Sequence, residues 1–268
     1  MDIFQSSETL IRLTCFLGVF AVLAALESAF PRRTQTTSRW ARWPSNISVS
    51  ALNQIIVRLV LPVSAIALAV TLEQRDWGLF GALALPAWIE IPVAILLLDL
   101  AIYGQHRIYH AVPMLWRFHR MHHSDLEFDV TSGIRFHPVS VLVSALIKLS
   151  VIVAIGPASV AVLVFEVLLN ATSLFNHSNL RIPPSFDRML RLLIVTPDMH
   201  RVHHSSNPQE TNRNFGFNFP WWDRLFRSYR AQPALRHEDM EIGLEQFRDE
   251  QELRLDRMLS QPFRRASA

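Results

Sequence analysis

The sequence contains a single cysteine, Cys15, and a single lysine, Lys148, among its 268 residues. One cysteine excludes an intrachain disulfide framework, and its position inside an apolar segment is typical of an inert side chain, not of a metal ligand. The other basic residues are arginines that flank apolar runs, and no basic stripe carries interleaved aromatic residues. A nucleic-acid partner is therefore not expected.

Several catalytic motifs are also absent from the sequence. Without H-E-x-x-H there is no zinc-protease arrangement with a glutamate base, and G-x-S-x-G, the P-loop and G-x-G-x-x-G do not occur either. Charge is scarce as well, since charged residues make up 18% of the chain and hydrophobic residues 50%. That composition is too apolar for an ordinary soluble domain of this size and indicates a membrane protein.

Long apolar runs account for this composition. A Gly156-Pro157 pair divides the last of them into two arms, which is typical of a helical hairpin. The runs are 13–30, about 55–72 with an expected kink at Pro62, 77–103, and 139–175. Each is long enough, or nearly so, to cross about 30 Å of hydrocarbon. The sequence thus predicts an all-α integral membrane bundle, with about three spanning helices plus the hairpin, beneath a histidine-rich helical cap.

The chain divides into three regions on this interpretation. Residues 1–104 form the N-terminal membrane helices, residues 105–230 form the catalytic region including the membrane hairpin 139–175, and residues 231–268 form a charged, soluble tail. His237 stands alone in that tail, so we expect it to be a solvated bystander.

Arginine distribution predicts the orientation in the membrane. Segment 31–46 is predicted to be a basic loop with four arginines, whereas the turn 73–76 carries only Arg75. The positive-inside rule therefore places segment 31–46 in the cytoplasm and brings the histidine-rich segments to the same cytoplasmic face. Lys148 and Glu166 fall at similar depth in the two hairpin arms, which predicts an interhelical ion pair.

Ten of the eleven histidines lie between His106 and His204, and most are grouped. One block is H-x-x-x-H, and two further blocks share the pattern H-R-x-H-H. On a helix, spacings of three and four place side chains on one face, so each block can direct several imidazoles at one point. The blocks are His106 with His110, then His119, His122 and His123, and finally His200, His203 and His204, with His137 and His177 standing alone between them.

This number of histidines exceeds one coordination sphere of three or four protein ligands and predicts two metal ions. A purely imidazole ligand set suits zinc, copper, iron or nickel. A redox metal that activates dioxygen makes the best use of it, because such a centre can attack an unactivated C–H bond of a lipid entering from the bilayer. A zinc-dependent membrane hydrolase and a non-catalytic metal-binding membrane protein remain as alternatives.

Six motifs together resemble the membrane-bound sterol desaturase and fatty acid hydroxylase superfamily over about residues 99–229. They are H-R-I-Y-H (106–110), H-R-M-H-H (119–123), R-F-H-P (135–138), N-H-S-N-L-R-I-P (176–183), H-R-V-H-H (200–204) and N-F-G-F-N-F-P-W-W-D-R-L-F (214–226). The resemblance implies a non-haem di-iron membrane enzyme that hydroxylates or desaturates a lipid or sterol-like substrate. Such an enzyme uses dioxygen and reducing equivalents from a cytochrome or ferredoxin type of donor.

The resemblance also implies which residues bind the two iron ions. The implied ligands are His106, His110, His119, His122, His123, His177, His200, His203 and His204, with His137 as a tenth candidate. Two departures from the family pattern stand out. Arg181 occupies a position where fatty acid hydroxylases often carry a further histidine, and Arg227-Ser228 replaces the usual Gly-Thr in an expected surface turn. Trp222 and Asp223 are expected to lock the cap by packing and hydrogen bonding.

Overall fold

The computed structural model describes the backbone of residues 3–264 and the side chains of residues 8–264. Within that part of the chain the regular structure is helical, with two isolated bridges and no strands. This confirms the predicted all-α class. The α-helices are α1 (Ile3–Ala29), α2 (Arg39–Val60), α3 (Ala65–Glu73), α4 (Gly78–Leu83), α5 (Ala87–Ala111), α6 (Pro113–His123), α7 (Pro138–Ile155), α8 (Ser159–Asn176), α9 (Pro184–Leu190), α10 (Pro197–His203), α11 (Pro208–Thr211), α12 (Trp221–Leu225) and α13 (Leu255–Ser260).

Five helical segments among the described residues are long and apolar enough to cross a membrane. They are Glu8–Ala29, Arg39–Leu83, Ala87–Ala111, Pro138–Ile155 and Ser159–Asn176. The first three correspond to the predicted spanning runs, and the last two are the arms of the predicted hairpin. The structure is therefore the expected membrane helical bundle.

The hairpin depends on Gly156, which has a φ of 57° and ends α7 in the left-handed conformation. An added Cβ there would lie 1.7 Å from the carbonyl oxygen of Trp77. Only glycine fits so close an approach without a backbone shift. The turn between the hairpin arms thus packs directly against the chain entering α4, at one end of the bundle.

Two of the predicted runs are broken helices, since 77–103 is divided between α4 and α5, and about 55–72 is divided between α2 and α3. Pro62 was expected to kink a continuous helix, but α2 ends at Val60 and α3 begins at Ala65, after Ser64 caps it by accepting a hydrogen bond from Ala67 N at 3.1 Å. Proline lacks an N–H and clashes with the preceding turn, which explains the break. The predicted loop 31–46 is likewise partly helical, since Ser38 caps α2 by accepting from Trp40 N at 3.2 Å.

The opposite end of the bundle collects the histidine-bearing segments. Glu27, at the end of α1, accepts backbone hydrogen bonds from Val130 at 3.0 Å and from Asn179 at 2.9 Å. It also pairs with Arg39 at the start of α2, at 3.1 Å. These contacts join α1, α2, the segment after α6 and the end of α8, as expected if all of them emerge on one face.

The membrane core contains the predicted ion pair between Lys148 and Glu166. Arg12 of α1 contacts the other carboxylate oxygen of Glu166 at 3.0 Å and Glu8 at 3.3 Å. The charges inside the bilayer therefore satisfy one another across three helices, as buried charges in a membrane must. An apolar core built largely from α3, α5, α7 and α8 surrounds the hairpin.

The C-terminal tail is more than a solvated appendage. Met258 of α13 packs with Val49 and Met121 in a buried cluster. Gln261 is fully buried and accepts a hydrogen bond from Ser124 Oγ at 2.8 Å. His237 is only 4% exposed, so the expectation of a solvated side chain is wrong. The tail folds over α6 because its scattered apolar residues pack against residues elsewhere in the chain. The spacing of apolar residues within the tail does not predict these contacts.

Candidate metal centre

Prolines fix the directions of the two H-R-x-H-H helices. Pro113 occupies the first turn of α6 directly after α5 ends, so the chain bends and α6 turns its histidines towards α5. Pro197 occupies the same position in α10, which Thr196 caps through Met199 N at 3.4 Å. His177 lies at the C-terminal cap of α8. Four helix segments therefore converge on one buried region.

Nine of the ten predicted histidines form two groups, and within each group the ligand atoms lie within 4.8 Å of one another. Each H-R-x-H-H block contributes to both groups, since its first and last histidines belong to one group and its middle histidine belongs to the other. The first group is His106, His110, His119, His123 and His203. The second group is His122, His177, His200 and His204.

Hydrogen bonds fix the tautomers of His106 and His203, whose rings face each other in the first group. His106 Nδ1 donates to the carbonyl oxygen of Phe215 at 2.8 Å, and His203 Nδ1 donates to that of Arg213 at 2.8 Å. In neutral rings the proton is then on Nδ1, so both Nε2 atoms carry lone pairs. These two Nε2 atoms are 3.0 Å apart. Two lone pairs at that distance repel unless a cation lies between them.

The second group repeats the arrangement around His177. Its Nδ1 donates to Ser173 O at 2.7 Å, which leaves the Nε2 lone pair directed towards its neighbours. That Nε2 lies 3.2 Å from His122 Nε2 and 3.1 Å from His200 Nε2. Nitrogens bound to one ion at about 2.1 Å and at right angles to each other are about 3.0 Å apart. The observed spacing therefore fits ligands that share one ion.

Burial keeps these imidazoles in the neutral form that binds metals. Desolvation lowers the pKa of His177 to about 3. Desolvation and neighbouring imidazoles also hold the pKa of His119 and of His204 well below the usual value of 6.5. Both ring nitrogens of His119 are buried without a hydrogen-bond partner in the described part of the chain. Buried polar atoms normally have partners, so these orphaned nitrogens also fit a pair of metal ions.

The aromatic-rich segment after α11 supports the first group from outside. Asp223 accepts hydrogen bonds from the backbone N–H groups of Phe215 and Gly216, both at 2.8 Å. These hydrogen bonds fix the position of the Phe215 carbonyl group, whose oxygen accepts the hydrogen bond from His106 Nδ1. Outer partners of this kind orient a ligating ring and set its tautomer. The expectation that Asp223 locks the cap by hydrogen bonding is confirmed.

A second carboxylate, Asp99 of α5, holds the same segment from the membrane side. It is fully buried and accepts from Trp222 Nε1 at 2.8 Å and from the backbone N–H groups of Asn218 and Phe219 at 3.3 Å. No motif singled out Asp99. The available signal was its charge inside an apolar run, since an intramembrane carboxylate needs a polar partner.

The departure at Arg227-Ser228 has a structural explanation. Arg227 has a φ of 57°, a left-handed conformation that suits the glycine of the family pattern. Ser228 is buried, not part of a surface turn as expected, and its hydroxyl donates to Asp223 Oδ1 at 2.7 Å. It also lies 2.7 Å from Tyr103 OH. Serine thus retains the hydroxyl that threonine would provide.

Arg227→Gly should raise the stability of the protein. A non-glycine residue in the left-handed region costs roughly 1–2 kcal/mol, partly offset by the greater freedom of glycine in the unfolded chain. The expected net gain is about 0.5–1 kcal/mol, measured as the shift in thermal unfolding of the purified protein in detergent. Arg227→Ala is the matched control, since it removes the same side chain but keeps the Cβ. An equal gain from both substitutions would contradict the backbone explanation.

His137 is the one candidate ligand outside both groups. It caps α7, with Nδ1 accepting from Val139 N at 3.1 Å and Nε2 facing the carbonyl oxygen of Leu259 at 3.3 Å. In the described structure its ring packs against Phe118 and Phe263. Arg181, at the other departure, has an exposed side chain, and its backbone N–H bonds Phe30 O at 2.8 Å.

His137→Ala should therefore destabilise the protein without removing metal. Losing a helix cap typically costs about 0.5–2 kcal/mol. We expect a lower unfolding temperature with metal content and product formation close to those of the wild type. His137→Asn is the matched control, because asparagine is a good capping residue and should recover the stability. Loss of bound metal in His137→Ala alone would show that this histidine is a ligand.

Comparison with known proteins places these features in context. The family model described as fatty acid hydroxylase matches residues 91–228, just over half of the chain. The chain is 29% identical over 161 residues to the ornithine lipid hydroxylase OlsE of Rhizobium tropici, covering 59% of this chain and 46% of that protein. It is 30% identical over 164 residues to the alkylglycerol monooxygenase of Danio rerio, covering 58% and 34%. No solved structure matches the chain at a significant level.

A helical membrane bundle with two groups of convergent imidazoles defines a class of membrane proteins with a candidate metal centre. Within that class, the chain belongs to the fatty acid hydroxylase family. This confirms the resemblance seen in the histidine motifs. The chain spans less than half the length of the two curated relatives described above.

Proposed function

We propose that this protein is a membrane-bound di-iron oxygenase that hydroxylates a lipid. The observation that carries the proposal is the pair of histidine groups with converging ring nitrogens, in which hydrogen bonds at Nδ1 leave the Nε2 lone pairs of His106, His203 and His177 free. The first group would hold one iron ion and the second group the other. When bound, the two ions supply the dioxygen chemistry needed to oxidise an unactivated C–H bond.

The reaction consumes one dioxygen, two electrons and two protons for each hydroxylated lipid and releases one water. The electrons must come from a separate donor, for which we propose a cytochrome or ferredoxin type of protein. The names of the relatives, a lipid hydroxylase and monooxygenases, support hydroxylation of a lipid as the reaction.

Aromatic side chains enclose the histidines and exclude water. Phe136 stacks on His122 with ring centroids 4.3 Å apart, and Phe128 stacks on His177 at 5.6 Å. Phe215 covers the first group, 5.2 Å from the His110 ring. An apolar enclosure of this kind suits a hydrocarbon substrate and limits side reactions with water.

The arginine distribution supports a cytoplasmic location for the histidine groups, because Arg42 of segment 31–46 bonds Asp125, two residues after His123. We expect tags in that segment and at the C-terminus to report the cytoplasm. A tag in the turn 73–76 should report the opposite side. The topology would be overturned if the tags in segment 31–46 and in the turn 73–76 reported the same side of the membrane.

The function is tested by measuring metal content and turnover in one purified preparation. We expect two iron ions per chain after anaerobic loading, and lipid hydroxylation that requires both dioxygen and a reductant. Zinc at equal stoichiometry with dioxygen-independent turnover would instead support a membrane hydrolase. A single metal ion per chain, unchanged by added iron, would overturn the di-iron proposal.

A further inference from the structure

A cavity of about 430 Å³ lies outside the histidine groups, between the end of α1, α9, the start of α10 and the segment around His237. Charged side chains dominate its lining. The charged and titratable residues of the lining are Arg32, Arg181, Arg188, Asp187, Asp198, His237 and Glu238. Nothing in the proposed oxygen chemistry uses this cavity.

Three arginines and three carboxylates line the cavity, and its excess of positive charge arises because Arg191 and Arg201, outside the lining, pair with Asp187 and Asp198. Arg32 neutralises Asp198 at 3.0 Å and also contacts Glu238. Arg201, behind the wall of the cavity, forms a second contact with Asp198. Arg181 and Arg188 have no ion-pair partner among the residues that the structure describes. Two cationic guanidinium groups therefore remain available to an anion.

His237 adds a buried polar group that lacks a partner. It is 4% exposed, and neither ring nitrogen forms a hydrogen bond within the described chain. Its Nε2 lies 3.7 Å from Asp198 Oδ2, beyond hydrogen-bond distance. Because buried polar groups nearly always have partners, an imidazole lining this cavity is suited to bind a polar ligand.

An apolar groove of about 590 Å³ adjoins the cavity, and Arg181 and Pro184 line both. The groove is formed by Ala29, Phe30, Pro31, Pro183 and Pro184, where the first membrane-spanning segment ends. Phe30 is 60% exposed, and Phe186 and Met189 of the neighbouring α9 are 47% and 55% exposed. These apolar side chains lie where the end of a spanning helix meets the headgroup region of a bilayer.

We propose that the charged cavity and the adjoining groove together bind one membrane lipid with an anionic, phosphate-bearing headgroup. Arg181, Arg188 and His237 contact the headgroup, and the groove beside Phe30 holds the first part of a hydrocarbon chain. The continuity of the cavity with an apolar groove at the membrane boundary favours a lipid over a soluble anion. The site goes beyond the proposed oxygenase activity, because binding there requires neither iron nor turnover.

The test is native mass spectrometry of the full chain in detergent, titrated with phosphatidylglycerol or with zwitterionic phosphatidylcholine. The wild type should bind one phosphatidylglycerol more tightly than phosphatidylcholine. Arg181→Gln with Arg188→Gln should weaken phosphatidylglycerol binding roughly 10–30-fold, since each arginine near an anionic lipid contributes about 1 kcal/mol. His237→Gln should weaken it further while leaving the net charge unchanged.

The matched control is Arg117→Gln with Arg227→Gln, which removes two exposed arginines outside the cavity. This control should bind phosphatidylglycerol as the wild type does. Equal weakening in the control would assign the effect to general surface charge and overturn the site. So would unchanged binding in the cavity variant, or displacement of the lipid by an equal concentration of glycerol phosphate. Product formation is measured separately, so failure of this site leaves the oxygenase proposal untouched.

Discussion

His203→Ala should abolish dioxygen-dependent product formation and reduce the iron content of the protein. His203 belongs to the first group, yet its ring lies 5.1 Å from that of His200 in the second group, on the same short helix. Loss of the His203 imidazole would open one coordination position. It would also remove His203 Nε2, which lies 3.0 Å from His106 Nε2. Altering an outer partner of a metal ligand typically reduces metal affinity or activity 10–100-fold, so removing a ligand should cost at least about 100-fold.

The measurement compares iron per chain and product formed in one membrane preparation. His137→Ala is the matched control, since it removes a histidine that lies outside both groups. The membrane helices should fold in both variants, because their backbone hydrogen bonds are satisfied within each segment. Full activity in His203→Ala would show that the H-R-x-H-H blocks are not the catalytic centre.

Arg42→Met should produce the largest loss of stability of any single substitution considered. Arg42 of α2 is fully buried and forms two hydrogen bonds with Asp125, at 2.7 and 2.8 Å, and one with Asp129 at 2.6 Å. Both carboxylates are also buried, so removing the guanidinium leaves Asp129 without an ion-pair partner and Asp125 with only the charge of Arg135 nearby. Breaking a buried ion pair on one side typically costs about 3–5 kcal/mol. The measurement is thermal or denaturant unfolding in detergent, with Arg117→Met, at an exposed site, as the control.

The stability difference between Arg42→Met and the wild type should depend on pH in a defined direction. Arg42 lowers the pKa of Asp125 and of Asp129 below the usual value of 3.8, so it stabilises the folded wild type above that value. This stabilisation is lost as the pH falls through the folded-state pKa. In the variant the buried carboxylates can protonate and become neutral. The difference should therefore be largest near neutral pH and shrink towards pH 4, and a constant difference would contradict the charge explanation.

The sequence alone predicted that the three histidine blocks meet, but not how their histidines divide between two groups. Spacings of three and four placed His119, His122 and His123 near one another on a helix face, and the structure brings them together. Their assignment to different groups depends on how α5, α6 and α10 pack, which no local spacing encodes. The sequence predicted the surroundings of the lone histidines less well. His137 was a candidate ligand and lies outside both groups, whereas His237 was expected in solvent and is buried.

The supporting residues were also beyond local prediction. Arg42 lay in a segment interpreted as a basic loop, yet it pairs with Asp125, 83 positions further along the chain. Hydrophobic periodicity does not reveal contacts between residues so far apart in the chain. The charge of Arg42 indicates only that the side chain must have a partner if it is buried. The number of spanning segments was predicted correctly because hydropathy and length determine it directly, whereas the second segment extends to Leu83 and not to about residue 72. The breaks near Pro62 and before α5 depended on local backbone chemistry that hydropathy averages out.

The attachment of α1 determines how the protein assembles after insertion. Only 6% of its membrane-spanning window is buried against the rest of the bundle. Lipid tails solvate its apolar face as well as protein does, so hydrophobicity inserts this helix but does not drive its association. Association relies on close packing of Leu23 against Leu174 and on polar contacts near the two ends of the helix, Arg12 with Glu166 and Glu27 with the backbone of Val130 and Asn179. Insertion and docking of α1 are therefore separable stages, and substitution of Glu27 should weaken the docking of the first helix without preventing its insertion.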